Sequence, residues 1–167
     1  MRVQVVPQVS GRHPAGELDP SAIVLHRTYG FWPGDRAIGE FGRAGEPIGF
    51  HFLIGAESGQ WAQFYDTTTR CNHARGANSW AVGIEISGRN DDRLSDWQAE
   101  KLGVIVRAVC GAHGIPLEYW SDGPRRKIRG VLPHALVPGS DHTDTVTRLD
   151  WARAVGTVPY EQQPKPE

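Results

Sequence analysis

Apolar residues fall in several short runs and one longer stripe along the 167-residue chain. The run SAIVLHRT (21–28) is apolar on both alternating faces up to His26, which predicts a central strand buried on both sides. IGFHFLI (48–54) reads as a second strand, and the turn ESGQ leads into a third, QWAQFYD. AVGIEIS (81–87) predicts a fourth. On a period of two, Val82, Ile84 and Ile86 face one way, and Ala81, Gly83 and Glu85 the other. The period then changes in SDWQAEKLGVIVRAVCGAHG, where Leu102, Ile105, Val106 and Val109 fall at i, i+3, i+4 and i+7. Ser95 with Gln98 makes a capping box and Gly114 with Pro116 a stop, so this stretch predicts a helix. GVLPHAL predicts a short strand or its exit, and LDWARAV (149–155) a short closing helix.

Strands alternating with helical patterns predict an α/β fold, a single domain with a mixed central β-sheet flanked by helices. Residues 1–20, rich in Pro, Gly and polar side chains, read as an extended N-terminal arm. Residues 29–47, around Phe31, Trp32 and Phe41, read as a loop with one short helix. The domain proper is expected over 21–155. Residues 156–167 look like a linker-like C-terminal tail, which suggests additional domains beyond it.

Composition narrows the partners. With 39% hydrophobic and 22% charged residues the chain is an ordinary globular sequence, and its formal net charge is -1. The basic residues are scattered, so nucleic acid is not an expected partner. No apolar run approaches the ~20 residues of a membrane span, so no membrane insertion is expected. The opening MRVQVVPQVSGRHPAG lacks the apolar region of a signal peptide. The two cysteines, Cys71 and Cys110, form no framework and are either free thiols or one disulfide.

Candidate chemistry lies with the seven histidines and a few carboxylates. His13 and His113 read as structural or solvent-exposed. His26 is the one polar group of AIVLH, and burying it unpaired would be costly. It is either a satisfied core histidine or a functional one. Glu85 stands on a face of small residues, where it is either a solvated edge residue or a base at the floor of a cleft. The stretch PHALVPGSDHTDTVTRLDW (133–151) gathers His134, Asp141, His142 and Asp144 without helical spacing. Cys71-Asn-His73 and Cys110-Gly-Ala-His113 offer a second possible zinc set, though their spacing is that of no common zinc module.

Taken together, IVLHRT, IGFHFLI with QWAQF, NHARGANSWAVGIEISG and the 133–151 stretch resemble the type-2 N-acetylmuramoyl-L-alanine amidases. That family includes phage endolysins, bacterial muropeptide amidases and peptidoglycan recognition proteins. The similarity runs from the first strand to the closing helix. Its most specific part is His-Ala-x-x-x-Asn ahead of a Gly-Ile-Glu strand, on His73, Ala74, Asn78, Gly83, Ile84 and Glu85. The resemblance implies a peptidoglycan recognition protein-like fold and one Zn2+ per chain, held by His26, His134 and Asp144 with a fourth position open for water. It implies Glu85 as the general base and His142 as the oxyanion stabiliser, where family members carry lysine or threonine. His73 and Asn78 would line the groove and hydrogen-bond the peptide stem, and His51 would be structural or support the site.

Two departures stand out. The family's Asp-Pro-Gly after the last ligand is Asp144-Thr145-Val146 here, and Phe50 replaces a tyrosine common in phage members. The resemblance implies a zinc-dependent amidase that cleaves the bond between N-acetylmuramic acid and L-alanine in peptidoglycan. The expected setting is a phage endolysin, made in the host cytoplasm without a signal peptide and released by a holin to act at the cell wall. The alternative is a non-catalytic peptidoglycan-binding module of the same fold. Loss of a zinc ligand usually marks such modules, and here all three positions are filled.

Overall fold

The computed structural model describes residues 16–30, 49–90, 92–123 and 125–156. Most of the expected arm and tail, and residues 31–47 of the loop with a helix expected over 29–47, lie outside the described residues. Within them run β1 (Ala22–Arg27), β2 (Phe52–Ile54), β3 (Trp61–Gln63), β4 (Ala81–Ile86), helix α1 (Asp96–His113), β5 (Gly130–Pro133), a single 3-10 turn (His134–Leu136) and helix α2 (Arg148–Val155). The strands form one sheet in the order β3-β2-β4-β1-β5. Its four inner pairings are parallel except β2 with β3, which is antiparallel, so the sheet is mixed as expected.

The period of two in β4 decides how the sheet is covered. Val82, Ile84 and Ile86 join Ile23 and Leu25 of β1 against Leu102, Ile105, Val106 and Val109 of α1, with Trp151 of α2 beside them. Each such side chain, when fully buried, contributes about 1.5–3 kcal/mol. The opposite face of β1 carries Ala22 and Val24, which pack with Ala74, Ala77, Trp80, Leu132 and Val137 from the connecting segments. β1 is therefore buried on both sides, as its continuous apolar run requires.

The helices start and stop where the sequence places their caps. Ser95 accepts from the Gln98 backbone N–H while the Gln98 side chain returns to Ser95, and Gly114 closes α1 in the left-handed conformation. Thr147 caps α2 by accepting from the Asp150 N–H. The two helices meet closely at Gly103, where an added Cβ would lie 1.8 Å from the Ala154 carbonyl oxygen. The second and third strands are shorter than their apolar runs. β2 begins at Phe52, although the His51 N–H still donates to the Gly83 carbonyl and the His51 carbonyl accepts from the Phe64 N–H; Gly49 before it lies against the Asn72 backbone. β3 ends at Gln63, before a turn closed by the Thr69 N–H donating to Asp66.

Candidate active site

The parallel strands bring their C-terminal ends to one edge of the sheet, where open α/β sheets commonly present ligands. His26 pairs in register with Glu85 across β1 and β4, and Leu25 with Pro133 across β1 and β5. His134 follows Pro133 directly, so β5 delivers it beside His26. The loop after the 3-10 turn then returns Asp144 to the same place, with the Ala135 N–H donating to the Asp144 carbonyl.

One ring nitrogen each of His26 and His134 and one oxygen of Asp144 lie within 4.8 Å of one another, and all three side chains are buried. His26 Nδ1 is 3.0 Å from His134 Nδ1 and 3.4 Å from Asp144 Oδ2. Asp144 Oδ1 is 3.2 Å from His134 Nδ1 yet receives no hydrogen bond of proper geometry. Burial works to raise the Asp144 carboxyl, but His134 and His26 outweigh it and hold the group well below the usual carboxylate range. A buried carboxylate with an unpartnered oxygen, facing two imidazole nitrogens, could hold a divalent cation such as zinc.

The protonation of His26 follows from its surroundings. His73 Nε2 lies 2.9 Å from the Ala81 carbonyl oxygen, which can only accept, so that nitrogen carries the proton. Burial first, and then neighbouring imidazoles, hold His73 well below the ordinary histidine pKa, so its Nδ1 is a bare acceptor. His26 Nε2, 3.1 Å away, must therefore donate to it. His26 is also shifted down by burial, despite the opposing pull of Asp144. Its Nδ1 consequently presents a lone pair toward His134 and Asp144. Supporting groups of this kind fix the tautomer of ligating histidines.

Glu85 stands at the C-terminal end of β4, beside His26. Its side chain is 19% exposed and its Oε1 lies 4.0 Å from His26 Nδ1, while Oε2 is buried without a hydrogen-bond partner. Burial and the Asp144 charge push its carboxyl up to about 8, against the lowering effect of Arg27. His142 is 61% exposed and stacks on His134, with ring centroids 4.1 Å apart and 18° between planes. Its Nδ1 is 3.5 Å from Asp144 Oδ1, and Asp141 beside it is exposed.

A groove of about 490 Å³ runs past Asn72, His73, Arg75, Asn78, Ser140 and His142. It adjoins a recess of about 280 Å³ floored by His26, Glu85, His134 and Asp144, with Phe50 and Tyr29 on its rim. His73 and Asn78 border the groove but are engaged within the protein. Both ring nitrogens of His73 are occupied, and Asn78 accepts from the Ala74 N–H while donating to Asn72. His73 can lie flat on β4 only because residue 83 is glycine: a Cβ there would meet its ring at 2.5 Å.

The remaining candidates separate from this cluster. His51 is buried, donates to the Thr69 carbonyl through Nε2 and accepts from the Gly83 N–H, and burial pushes it down to about 4. Cys71 packs on His51, burial raises its thiol to about 12, and both cysteines are free. His113 meets the Thr67 hydroxyl at 2.7 Å. The cysteine–histidine set therefore does not converge. Sequence reasoning missed Asn90, whose side chain bonds the backbone on both sides of Asp144, and Tyr29, whose hydroxyl meets the Asn90 amide and the Thr143 hydroxyl.

The N-acetylmuramoyl-L-alanine amidase family model matches residues 16–147. N-acetylmuramoyl-L-alanine amidase A of Achromobacter lyticus is 25% identical over 146 residues, 81% of each chain. Among solved structures, the endolysine N-acetylmuramoyl-L-alanine amidase LysCS of Clostridium intestinale is 20% identical with a TM-score of 0.62, covering 93% of this chain and 97% of that one. The Staphylococcus aureus hydrolase AmiA is 14% identical with a TM-score of 0.68, covering 93% and 82%.

Proposed function

Because the chain belongs to the N-acetylmuramoyl-L-alanine amidase family, we propose that it is a zinc-dependent amidase that hydrolyses the amide between N-acetylmuramic acid and L-alanine in peptidoglycan. The observation that carries the zinc and the site is the convergence of His26, His134 and Asp144, with Glu85 4.0 Å from His26. A zinc ion held by these three residues would supply a Lewis acid and bring the pKa of a water bound to it down to about 7.

The chain's own residues supply the rest. The lone pair of His26 Nδ1 and the unpartnered oxygen of Asp144 are set for the ion before it arrives. Glu85 takes the proton of the attacking water and passes it to the departing amine of L-alanine. Burial and the Asp144 charge hold the Glu85 carboxyl above its ordinary range, as suits a carboxyl that takes and returns a proton. His142, exposed at the junction of groove and recess, donates to the carbonyl oxygen as negative charge develops there. The groove past Arg75 and Ser140 receives the peptide stem, with His73 and Asn78 shaping its wall from within.

Residues 21–155 would form the catalytic unit, acting in cell-wall lysis as a phage endolysin does. The endolysine of C. intestinale among the similar structures supports that setting. The test is mass spectrometry of purified peptidoglycan after incubation with the protein. Free stem peptides with an N-terminal L-alanine are expected. Intact peptidoglycan that pellets with the protein would instead identify a binding module.

A further inference from the structure

Asp144 sits on a stretch without the rigidity that a proline would give: the residues after it are Thr145 and Val146. The chain holds it from outside. Thr145 donates its backbone N–H to Asn90 Oδ1 at 3.0 Å, and Asn90 Nδ2 donates to the Thr143 carbonyl at 2.9 Å. One side-chain amide thus clasps the backbone on both sides of Asp144. The amide can face only one way, because an N–H needs its oxygen and a carbonyl needs its nitrogen.

The clasp is tied to the strand that carries His26. Asn90 Nδ2 also lies 2.7 Å from the Tyr29 hydroxyl, which is 2.8 Å from Thr143 Oγ1. Tyr29 lies two residues beyond β1 in the left-handed region, at φ 58, a conformation uncommon for a residue with a side chain. Its backbone N–H donates to the Gly88 carbonyl at 3.0 Å. Asn90, three residues after Ser87 at the end of the β4 run, therefore joins the loops that follow His26 and Glu85 to the loop that carries Asp144.

We propose that Asn90 is a positioning residue for the third ligand, setting where the Asp144 carboxylate stands relative to His26 and His134. This rests on the zinc reading above. Asn90 lines neither the recess nor the groove; it acts through the backbone of residues 143–145.

The experiment measures zinc affinity by chelator competition, together with the visible spectrum of the cobalt-substituted protein, for wild type, Asn90→Ala, Asn90→Asp and Tyr29→Phe. Asn90→Ala is expected to weaken zinc about 10- to 100-fold, the usual effect of losing a group that orients a ligand, and to alter the cobalt bands. Asn90→Asp keeps the acceptor for Thr145 but sets an oxygen against the Thr143 carbonyl, so it should also bind weakly. Tyr29→Phe leaves both backbone bonds in place and should lose less. Amide hydrogen exchange of the metal-free protein should show Thr145 less protected in Asn90→Ala. Wild-type affinity and an unchanged cobalt spectrum in Asn90→Ala overturn the proposal, even if that variant melts earlier. A wild type that binds no zinc overturns the functional reading and this proposal with it.

Discussion

His26 Nε2 and His73 Nδ1 lie 3.1 Å apart, and the direction of that hydrogen bond is dictated by a third group, the Ala81 carbonyl 2.9 Å from His73 Nε2. His73 is thereby placed behind a proposed ligand, and its contribution should appear in metal affinity. His73→Leu is expected to weaken zinc about 10- to 100-fold. His73→Gln, which can still donate to Ala81 and accept from His26, should recover part of the loss. Equal zinc affinity in all three proteins, measured by chelator competition, would remove His73 from this role.

Gly83 permits that relay. A Cβ at this position would lie 2.5 Å from His73 Cγ, closer than real contacts allow, so Gly83→Ala must displace the ring or the strand. A stability loss of about 1–3 kcal/mol is expected, with weaker zinc binding alongside it. Gly111, in the last turns of α1, is the control, because an added Cβ there meets nothing within 4 Å. Gly111→Ala should leave zinc unchanged and raise stability by up to about 1 kcal/mol. Thermal melts and zinc titrations of the two variants separate these outcomes.

Glu85 should separate chemistry from metal binding. Glu85→Gln is expected to keep zinc while kcat falls ~100- to 10,000-fold, the range for a general base. A second signature appears in the metal-free protein. Its folded-state pKa of about 8 lies above the ~4.3 of an unfolded glutamate, so the folded chain holds the proton more tightly. That stabilisation is fully present below about pH 4 and is lost as pH rises toward 8, because a carboxylate must then be buried. With chelator present, the Tm of Glu85→Gln relative to wild type should climb through that window by several degrees. A flat difference would mean the carboxylate is solvated in the folded state.

The elements that were legible in the sequence are those whose signals are local. The capping box at Ser95 and Gln98, the stripe Leu102-Ile105-Val106-Val109 and the stop at Gly114 all act within one helix. The alternation of β4 placed Glu85 on the face away from the helix core. β2 came out three residues long against a mostly apolar run of seven, because its pairing partners in β3 and β4 are set by distant chain. The convergence of His26, His134 and Asp144 was not legible from spacing, since 108 residues separate the first two. It came from a resemblance. Asn90 and Tyr29 carry no such signal: a polar residue after a strand reads as solvated until the loop it holds is in place.

Cys71 and Cys110 lie in separate clusters, one against His51 and one in the core under α1. Cys71→Ser with Cys110→Ser should therefore leave zinc content unchanged, whereas His26→Ala should empty the site. Some stability loss is expected from the double change, because a hydroxyl replaces a buried thiol in each place. Metal analysis showing zinc lost from the cysteine variant and kept by His26→Ala would reverse the ligand assignment.

His142 offers the sharpest test of role, because it touches the proposed ligands without being buried among them. It stacks on His134 at 4.1 Å, its Nδ1 lies 3.5 Å from Asp144 Oδ1, and its backbone N–H is held by the Ser140 hydroxyl at 3.1 Å. Being 61% exposed, it can swing toward a carbonyl in the groove, which His134 at 7% exposure cannot. Removing its side chain takes a stacking partner from His134 but leaves the three converging donor atoms in place. His142→Ala should therefore keep zinc within a few-fold of wild type while kcat falls by ~100- to 1,000-fold, the effect of losing one oxyanion donor. His142→Lys returns a donor at the end of a longer, flexible stem, and its kcat should lie between those of His142→Ala and wild type. The measurement is kcat on solubilised peptidoglycan, with zinc content determined on the same samples and His134→Ala as the metal-free reference. Zinc lost from His142→Ala to the level of His134→Ala would show that the exposed ring serves as a ligand. Unchanged kcat with zinc in place would leave it only the stacking contact with His134.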